Sequence, residues 1–422
     1  MSLFLQNRRL LTWSLAFVII TYSIFLGVDL VYGINCWSTG IDFCAYWSSG
    51  KAALENGVGG IYDLEILRNY QKAVYPRMFD PTAPYEYLPF PYLPVFSLPF
   101  LAFAKLPIQQ SYLLWSALNF AALLTYFLFF YRSVSGNRPY PWMIILLLLL
   151  SAPFFNNIKF GQLNVWLGIF AGEFVRNSIK GRRFLAGLWL IGLLLKFQTL
   201  ILVVPFLLFT KNFKSLFSFT VGTFVLLGGS YWLVGTKGVL DFWEILSGSA
   251  VGDSAANVLR MANWRMLGGV IDYLFDTNVV NFVMLLGAGF VIWLLVINFR
   301  DFDMKYPEEN LLGFFLIFLA TTLITVHSHF EMNLLFYPLF LIAVDRGWIT
   351  AKVFFLWFWV GFSTFVLLVI FDAVISYFDL FGPSYRFILL SVAPVGFVIN
   401  LKIFFESLKI MQKMKLEARQ NI

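Results

Sequence analysis

The stretch Gly40-Ile41-Asp42-Phe43-Cys44-Ala45-Tyr46-Trp47 (residues 40–47) decides how this chain is read. It follows the first apolar run and sets one carboxylate a few residues beyond it, ahead of the helix-like Trp47 to Leu54. An ionisable group at membrane depth is costly unless it meets a polar cavity or a partner. Asp42 is therefore a candidate for a functional site, and its chemistry is that of a general base. The structural alternative is a helix N-cap, a position Asp favours just before helical sequence. Periodicity alone leaves both readings open.

Composition explains why membrane depth is the issue. Of 422 residues, 60% are hydrophobic, 20% aromatic and only 13% charged. Soluble domains carry roughly a quarter charged residues, so the fold class expected is an all-α polytopic membrane protein. The fifty Phe and fourteen Trp suit lipid-facing helices and interfacial belts. The net charge of +7 does not indicate nucleic acid, because the basic residues sit mostly in short loops between apolar runs, where they set orientation. The first apolar run lacks a small-residue cleavage site and reads as a retained helix. Cys36 and Cys44 flank Asp42. A disulfide between them is possible in an oxidising compartment if the backbone between them is non-helical, and a metal site is a weaker alternative.

Taken in order, Arg8 and Arg9 precede an apolar run at 10–34, which puts the N-terminus inside and Asp42 outside. The first outer loop, 35–86, holds two short interfacial helices, about 42–56 and 63–75, split by Asn56-Gly57-Val58-Gly59-Gly60. Prolines 89, 91, 94 and 99 mark 88–105 as broken or re-entrant. Spans follow at 109–131, then within 141–176, joined across Pro153 to Asn164. Another pair, 184–196 and 197–210, hinges at Lys196. A span at 215–235 leads to a loop, 236–277, followed by 279–299, 310–326, 334–345, 351–371 and 386–406 with a basic tail. The total is about twelve spans, with both termini cytoplasmic. One integral-membrane domain covers 1–422, with a core module in 1–240 and more variable helices in 241–422.

Under this topology Asp42, Lys159, Gln162, Lys196, Arg265, His327, His329 and Glu331 gather on the outer face, whereas snorkelling residues would mark both faces. A cavity with one base, several cations and aromatic walls suits group transfer from a lipid phosphate, since fixed positive charge stabilises a developing anion. Lys196 is the leading phosphate ligand, with snorkelling as its alternative, and Arg265 is a second candidate against a plain surface charge. The two histidines suit orientation of phosphate or acceptor better than metal ligation.

The order of features resembles the polyprenol-phosphate-sugar-dependent GT-C glycosyltransferases, most closely glycosyltransferase family 87, of α-mannosyltransferase type. The resemblance rests on Asp42-Phe43 with Tyr46, Gly57 to Tyr62-Asp63, Tyr87 to Pro99, Gly161-Gln162-Leu163-Asn164, Ala186-Gly187 to Lys196, and Asn263-Trp264-Arg265. The outer histidine segment before Pro338 matches only loosely. What it implies is a GT-C fold and an inverting hexosyltransferase. Mannose from a polyprenyl-phosphate donor passes to a lipid or glycan acceptor hydroxyl in the cell envelope. Asp42 is the base, and Lys196, Arg265, His327, His329, Gln162, Asn164 and Lys159 meet the donor phosphate or sugar. Tyr46, Tyr62, Tyr87, Trp264 and Glu331 line the cavity. No cofactor or metal is expected, and the active site faces outward from a plasma (inner) membrane. A non-catalytic lipid-linked-sugar flippase is the alternative, although no internal repeat supports it. A polysaccharide polymerase would want a larger arginine-bearing loop than Arg260 and Arg265 provide.

Overall fold

The computed structural model describes most of the chain; residues 1–11, 14, 25–32, 35, 37–38, 75–87, 252–257, 301, 303–305, 360–384 and 421–422 lie outside the described residues. Among the described residues the protein is all-helical, with a single isolated bridge between Met261 and His329. Five helices are long and apolar enough to cross a bilayer: Ile108–Ser135, Arg183–Leu200, Phe213–Ser247, Val280–Phe299 and Pro307–Ile324. A sixth is the pair Trp142–Leu149 and Ala152–Phe160, bent by 43°. The twelve spans expected from the sequence are not reached among the described residues. Several apolar runs are instead divided into helices too short to cross, and the spans proposed at 10–34 and 351–371 fall partly outside those residues.

Pro307–Ile324 forms the centre, with 89% of its apolar window buried, whereas Val280–Phe299, with 22% buried, presents most of its surface outward. Solvent-like exposure of Phe282, Leu285 and Trp293 on the latter is what a lipid-facing helix shows. The stretch after the first apolar run contains helices Ile41–Asn56 and Leu64–Val74, joined by a 3₁₀ turn at Val58–Tyr62 where the glycine-rich breaker was expected. Pro94–Phe103 is a ten-residue helical piece. At 1.5 Å per residue it covers about 15 Å, half the roughly 30 Å hydrocarbon core, so this helix is too short to cross by itself.

Three sequence expectations are corrected. The joiner placed at 153–164 is largely helix, Ala152–Phe160, because Pro153 sits in the first turn where its missing N–H costs nothing. The loop placed at 236–277 is mostly helical: Phe213 runs through to Val251 across a break at Gly235, and Trp264–Phe275 follows. Lys237, Asp241 and Glu244 interrupt the apolar run but suit an interfacial helix. The basic tail is also helical, continuing Tyr385–Gln420.

Cys36 and Cys44 are joined by a disulfide, with Cα atoms 5.6 Å apart. Cys36 has a φ of 57°, and the helix that carries Cys44 begins only at Ile41, so the two cysteines do not share one helix.

Candidate active site

Two backbone devices bring distant residues to Asp42. The Ala152–Phe160 helix ends at Gly161 in the left-handed region, φ 72°, and a Cβ there would run into Phe43. Only glycine permits both the turn and the close approach. The Gly40 N–H donates to the Lys159 carbonyl at 2.7 Å, so the start of the Asp42 helix and the Gly161-Gln162 turn are one packed unit. Trp115 and Tyr112 add donors from a spanning helix: Trp115 Nε1 to Gly161 O at 3.0 Å, and the Tyr112 hydroxyl to Ile158 O at 2.9 Å.

The second device is the break at Lys196. Its φ of −136° and ψ of 84° are non-helical within a 3₁₀ stretch, Ile191–Leu200, as the hinge read from sequence implied. Non-helical backbone at this depth is tolerated where protein surrounds it. Here Lys196 Nζ donates to Asn164 Oδ1 at 2.9 Å. Asn164 Nδ2 donates to Gln162 Oε1 at 2.6 Å, and Gln162 Nε2 donates to Glu331 Oε1 at 3.2 Å. Gln162 also hydrogen-bonds Asp42. One side-chain chain thus runs from the Lys196 ammonium through two amides to both carboxylates.

A third unit carries the histidines. Beyond Pro307–Ile324 the chain extends, and residues 261–265 fasten it from outside. The Ala262 N–H donates to Ser328 O at 2.8 Å, Asn263 Nδ2 to Thr325 O at 2.6 Å, and Arg265 Nη1 to Val326 O at 3.3 Å. From below, Gln198 Nε2 donates to His327 O at 2.7 Å. The imidazoles of His327 and His329 stand edge to face, 4.7 Å between centroids.

These units enclose a cavity of about 920 Å³. Asp42, Tyr46, Gln162, Lys196, His327 and His329 line it together, as the sequence grouping anticipated. Asn164 and Glu331 stand directly behind Gln162 and Lys196. Tyr62 reaches it indirectly, donating from its buried hydroxyl to Tyr92 O and packing at a tilt against Phe242. Lys159 does not line it; its backbone carbonyl serves the Gly40 junction. Arg265 and Trp264 do not line it either. Arg265 straps the histidine loop, and Trp264 packs against Phe397 and Phe290; Asn263 caps the helix that carries both, its side chain accepting from the Arg265 N–H. Tyr87 lies outside the described residues.

Sequence reading missed Tyr92, Gln198 and an apolar lane. The Tyr92 hydroxyl meets that of Tyr46 at 3.1 Å. Its signal was present in the proline-rich Tyr87 to Pro94 run. The lane consists of Phe197, Ile201, Val204, Thr223, Leu227, Phe242 and neighbours from the Arg183–Leu200 and Phe213–Ser247 spans. Phe197 and Ile201 are 58% and 50% exposed, so the lane opens sideways onto the lipid-facing surface. No local sequence pattern distinguishes such residues from ordinary lipid-facing ones.

Electrostatics separate the titratable groups. Asp42 belongs to a helix of the loop between spans, and burial raises its carboxyl above the ordinary range; Gln162 and Lys196 act against this and Glu331 with it. Burial, with His327 second, lowers His329 to about 3, so its ring is neutral at physiological pH. Burial keeps the Tyr46 and Tyr92 phenols protonated, available as donors.

The glycosyltransferase family 87 profile matches residues 90–328, more than half of the 422-residue chain. The chain belongs to glycosyltransferase family 87. It is therefore a membrane glycosyltransferase, acting with a sugar donor and an acceptor within a lipid bilayer. The matched stretch contains Gln162, Asn164, Lys196, Arg265 and His327, whereas Asp42 precedes it and His329 and Glu331 follow it. No curated protein and no solved structure matches the chain.

Proposed function

We propose that this family 87 transferase moves a hexose, in the first instance mannose, from a polyprenyl-phosphate sugar to a hydroxyl of a glycolipid or glycan. The observation that carries this reading is the cavity's division into a polar end and a lane open to lipid. Such a shape suits a donor whose sugar phosphate is polar and whose anchor is a long isoprenoid. Asp42 takes the acceptor proton while the acceptor oxygen attacks the anomeric carbon. The bond from that carbon to the phosphate oxygen breaks, and polyprenyl phosphate leaves from the opposite face, inverting the centre. Lys196 meets the charge gathering on the leaving phosphate, and His327 and neutral His329 orient phosphate or acceptor. Asn164 and Gln162 hold Lys196 and Asp42 in register. We invoke no cofactor. A raised carboxyl suits the base, because proton transfer is most effective when its pKa approaches the working pH.

We place the cavity on the outer face of the plasma (inner) membrane, with both termini cytoplasmic. The Cys36–Cys44 disulfide beside Asp42 supports that side, since such bonds persist in oxidising compartments.

The deciding experiment is transfer from radiolabelled polyprenyl-phosphate mannose to a lipid extract by the wild type and Asp42→Asn. The helix loses no cap by this change, because its N-cap is Gly40, no side chain makes a cap bond, and Asp42 lies within the first turn. Loss of the base should lower turnover on the order of 10²–10⁴-fold with donor binding retained. A well-folded variant with near-normal transfer eliminates Asp42 as base. Wild-type transfer from a nucleotide sugar and none from the lipid donor eliminates the donor class.

A further inference from the structure

A second concavity lies at the other end of the same helices. Gly181, Arg182, Arg183, Phe184, Leu185 and Lys214 line about 520 Å³ between the Lys180–Arg182 turn and the first turn of Phe213–Val251. Phe242, on the wall of the Asp42 cavity, comes near the far end of that 39-residue helix. The frame is built tightly. Ser215 Oγ donates to Arg183 O at 2.7 Å, and Ser218 Oγ to Phe184 O at 2.7 Å. Gly187 lies so close to Ser215 that no Cβ would fit.

The charge in this frame is one-sided. No Asp or Glu occurs between Glu173 and Asp241, and Glu173 is already engaged by Arg176 at 2.6 Å. Among the described residues, Arg182, Arg183 and Lys214 enter no ion pair. Lys180, directed to Ser133 Oγ at 2.6 Å, is held below its ordinary pKa by burial, then by Arg176 and Arg182. Cations gathered this way repel each other unless an anion joins them. Immediately beside them Phe184, Leu185, Phe213 and Phe217 are exposed by 54%, 39%, 60% and 64%, an apolar rim where the spans begin. Orientation of the chain needs the charges in this loop but not a concavity framed by locked helices.

We infer that the pocket of Arg182, Arg183 and Lys214 binds the phosphate headgroup of an anionic membrane lipid, whose acyl chains lie along Phe184, Leu185 and Phe217. The two arginines present planar forks suited to phosphate oxygens, and Lys214 adds a point charge from the facing helix. This site is independent of the sugar-transfer chemistry and of Asp42.

The test is native mass spectrometry of the full chain in a mild detergent, titrated with phosphatidylglycerol and with phosphatidylcholine of the same acyl chains. Phosphatidylglycerol should remain bound and phosphatidylcholine should not. Arg182→Gln/Arg183→Gln/Lys214→Gln should weaken the former on the order of 100-fold, from about 1 kcal/mol per basic residue near an anionic headgroup. Lys72→Gln/Lys105→Gln/Lys237→Gln, which removes equal charge elsewhere, should leave it unchanged. If the triple variant does not purify, single Arg182→Gln and Lys214→Gln, each expected to weaken binding about fivefold, decide the matter. Equal retention of both lipids, or equal losses in the two triple variants, overturns the site. Displacement of phosphatidylglycerol by millimolar inorganic phosphate would make it a free-anion site and overturn the lipid assignment.

Discussion

Replacing Asn164 by alanine isolates the amide chain from the groups it connects. Asn164 is fully buried, accepts from Lys196 Nζ at 2.9 Å and donates to Gln162 Oε1 at 2.6 Å. A hydrogen bond to a charged group is worth about 1.5–3 kcal/mol and a neutral one about 0.5–1.5 kcal/mol, so the ceiling is roughly 2–4.5 kcal/mol. Water from the adjoining cavity will recover part of this for Lys196, leaving about half. Each 1.36 kcal/mol is tenfold in rate, so kcat/KM should fall roughly 5- to 50-fold. The loss should divide between a higher donor KM, from a freed Lys196, and a lower kcat, from a Gln162 no longer aligned on Asp42. The assay is initial-rate transfer over a donor series, with the thermal midpoint recorded alongside. Both constants within threefold of wild type in a folded protein would refute the idea that Asn164 holds the site in register.

Further outcomes are expected for pH dependence, for the disulfide and for topology. The wild-type rate should fall as pH drops through the Asp42 carboxyl, at a higher pH than an ordinary carboxylate, and Asp42→Asn should lack this limb. In the same window the folded state binds more protons at Asp42 than the unfolded chain. This group's contribution to stability therefore declines as pH rises, which wild-type minus Asp42→Asn thermal curves would show; a common slope would contradict the raised carboxyl. His329, neutral down to about 3, should add no limb of its own in the physiological range, and a limb abolished by His329→Gln would contradict its burial. Cys36→Ser/Cys44→Ser opens a crosslink spanning eight residues, for which chain entropy gives about 2.5 kcal/mol, and activity should decline with the midpoint; an unchanged midpoint would show that the bond does not form in the cell. Finally, a cysteine at Gly59 should react with an impermeant reagent in intact cells and one at Gly181 should not; labelling at Gly181 would place the basic turn outside.

Much of this arrangement was legible because hydrophobic runs are punctuated by costly residues. A charged side chain inside an apolar run, such as Lys196, has few destinations, so its hinge could be placed from sequence. Likewise Gly161 followed by Gln162 and Asn164 marked a turn between apolar runs. The loop expected from residue 236 was a misreading as far as 251, where Lys237, Asp241 and Glu244 belong to a helix that continues past the break at Gly235. Arg265 and Trp264 were expected in the site from the Asn263-Trp264-Arg265 resemblance; their contacts as strap and packing residue depend on the long-range pairing of 261–265 with 325–329. The lane formed by Phe197, Ile201 and Leu227 was invisible for a related reason. One more apolar side chain among so many carries no local sign of which cavity it borders.

The sideways opening of that lane bears on handling of the protein outside cells. An alkyl surfactant tail is chemically close to an isoprenoid, and Phe197 and Ile201 stand exposed in the belt that a micelle covers. If the donor is the polyprenyl phosphate proposed above, surfactant monomers are rivals for its place in the lane. Apparent donor affinity in solubilised preparations should worsen with tail length and surfactant load and recover on return to a bilayer. A weak preparation in long-chain surfactant would then report occupancy of the lane, with the polar machinery beside Asp42 intact.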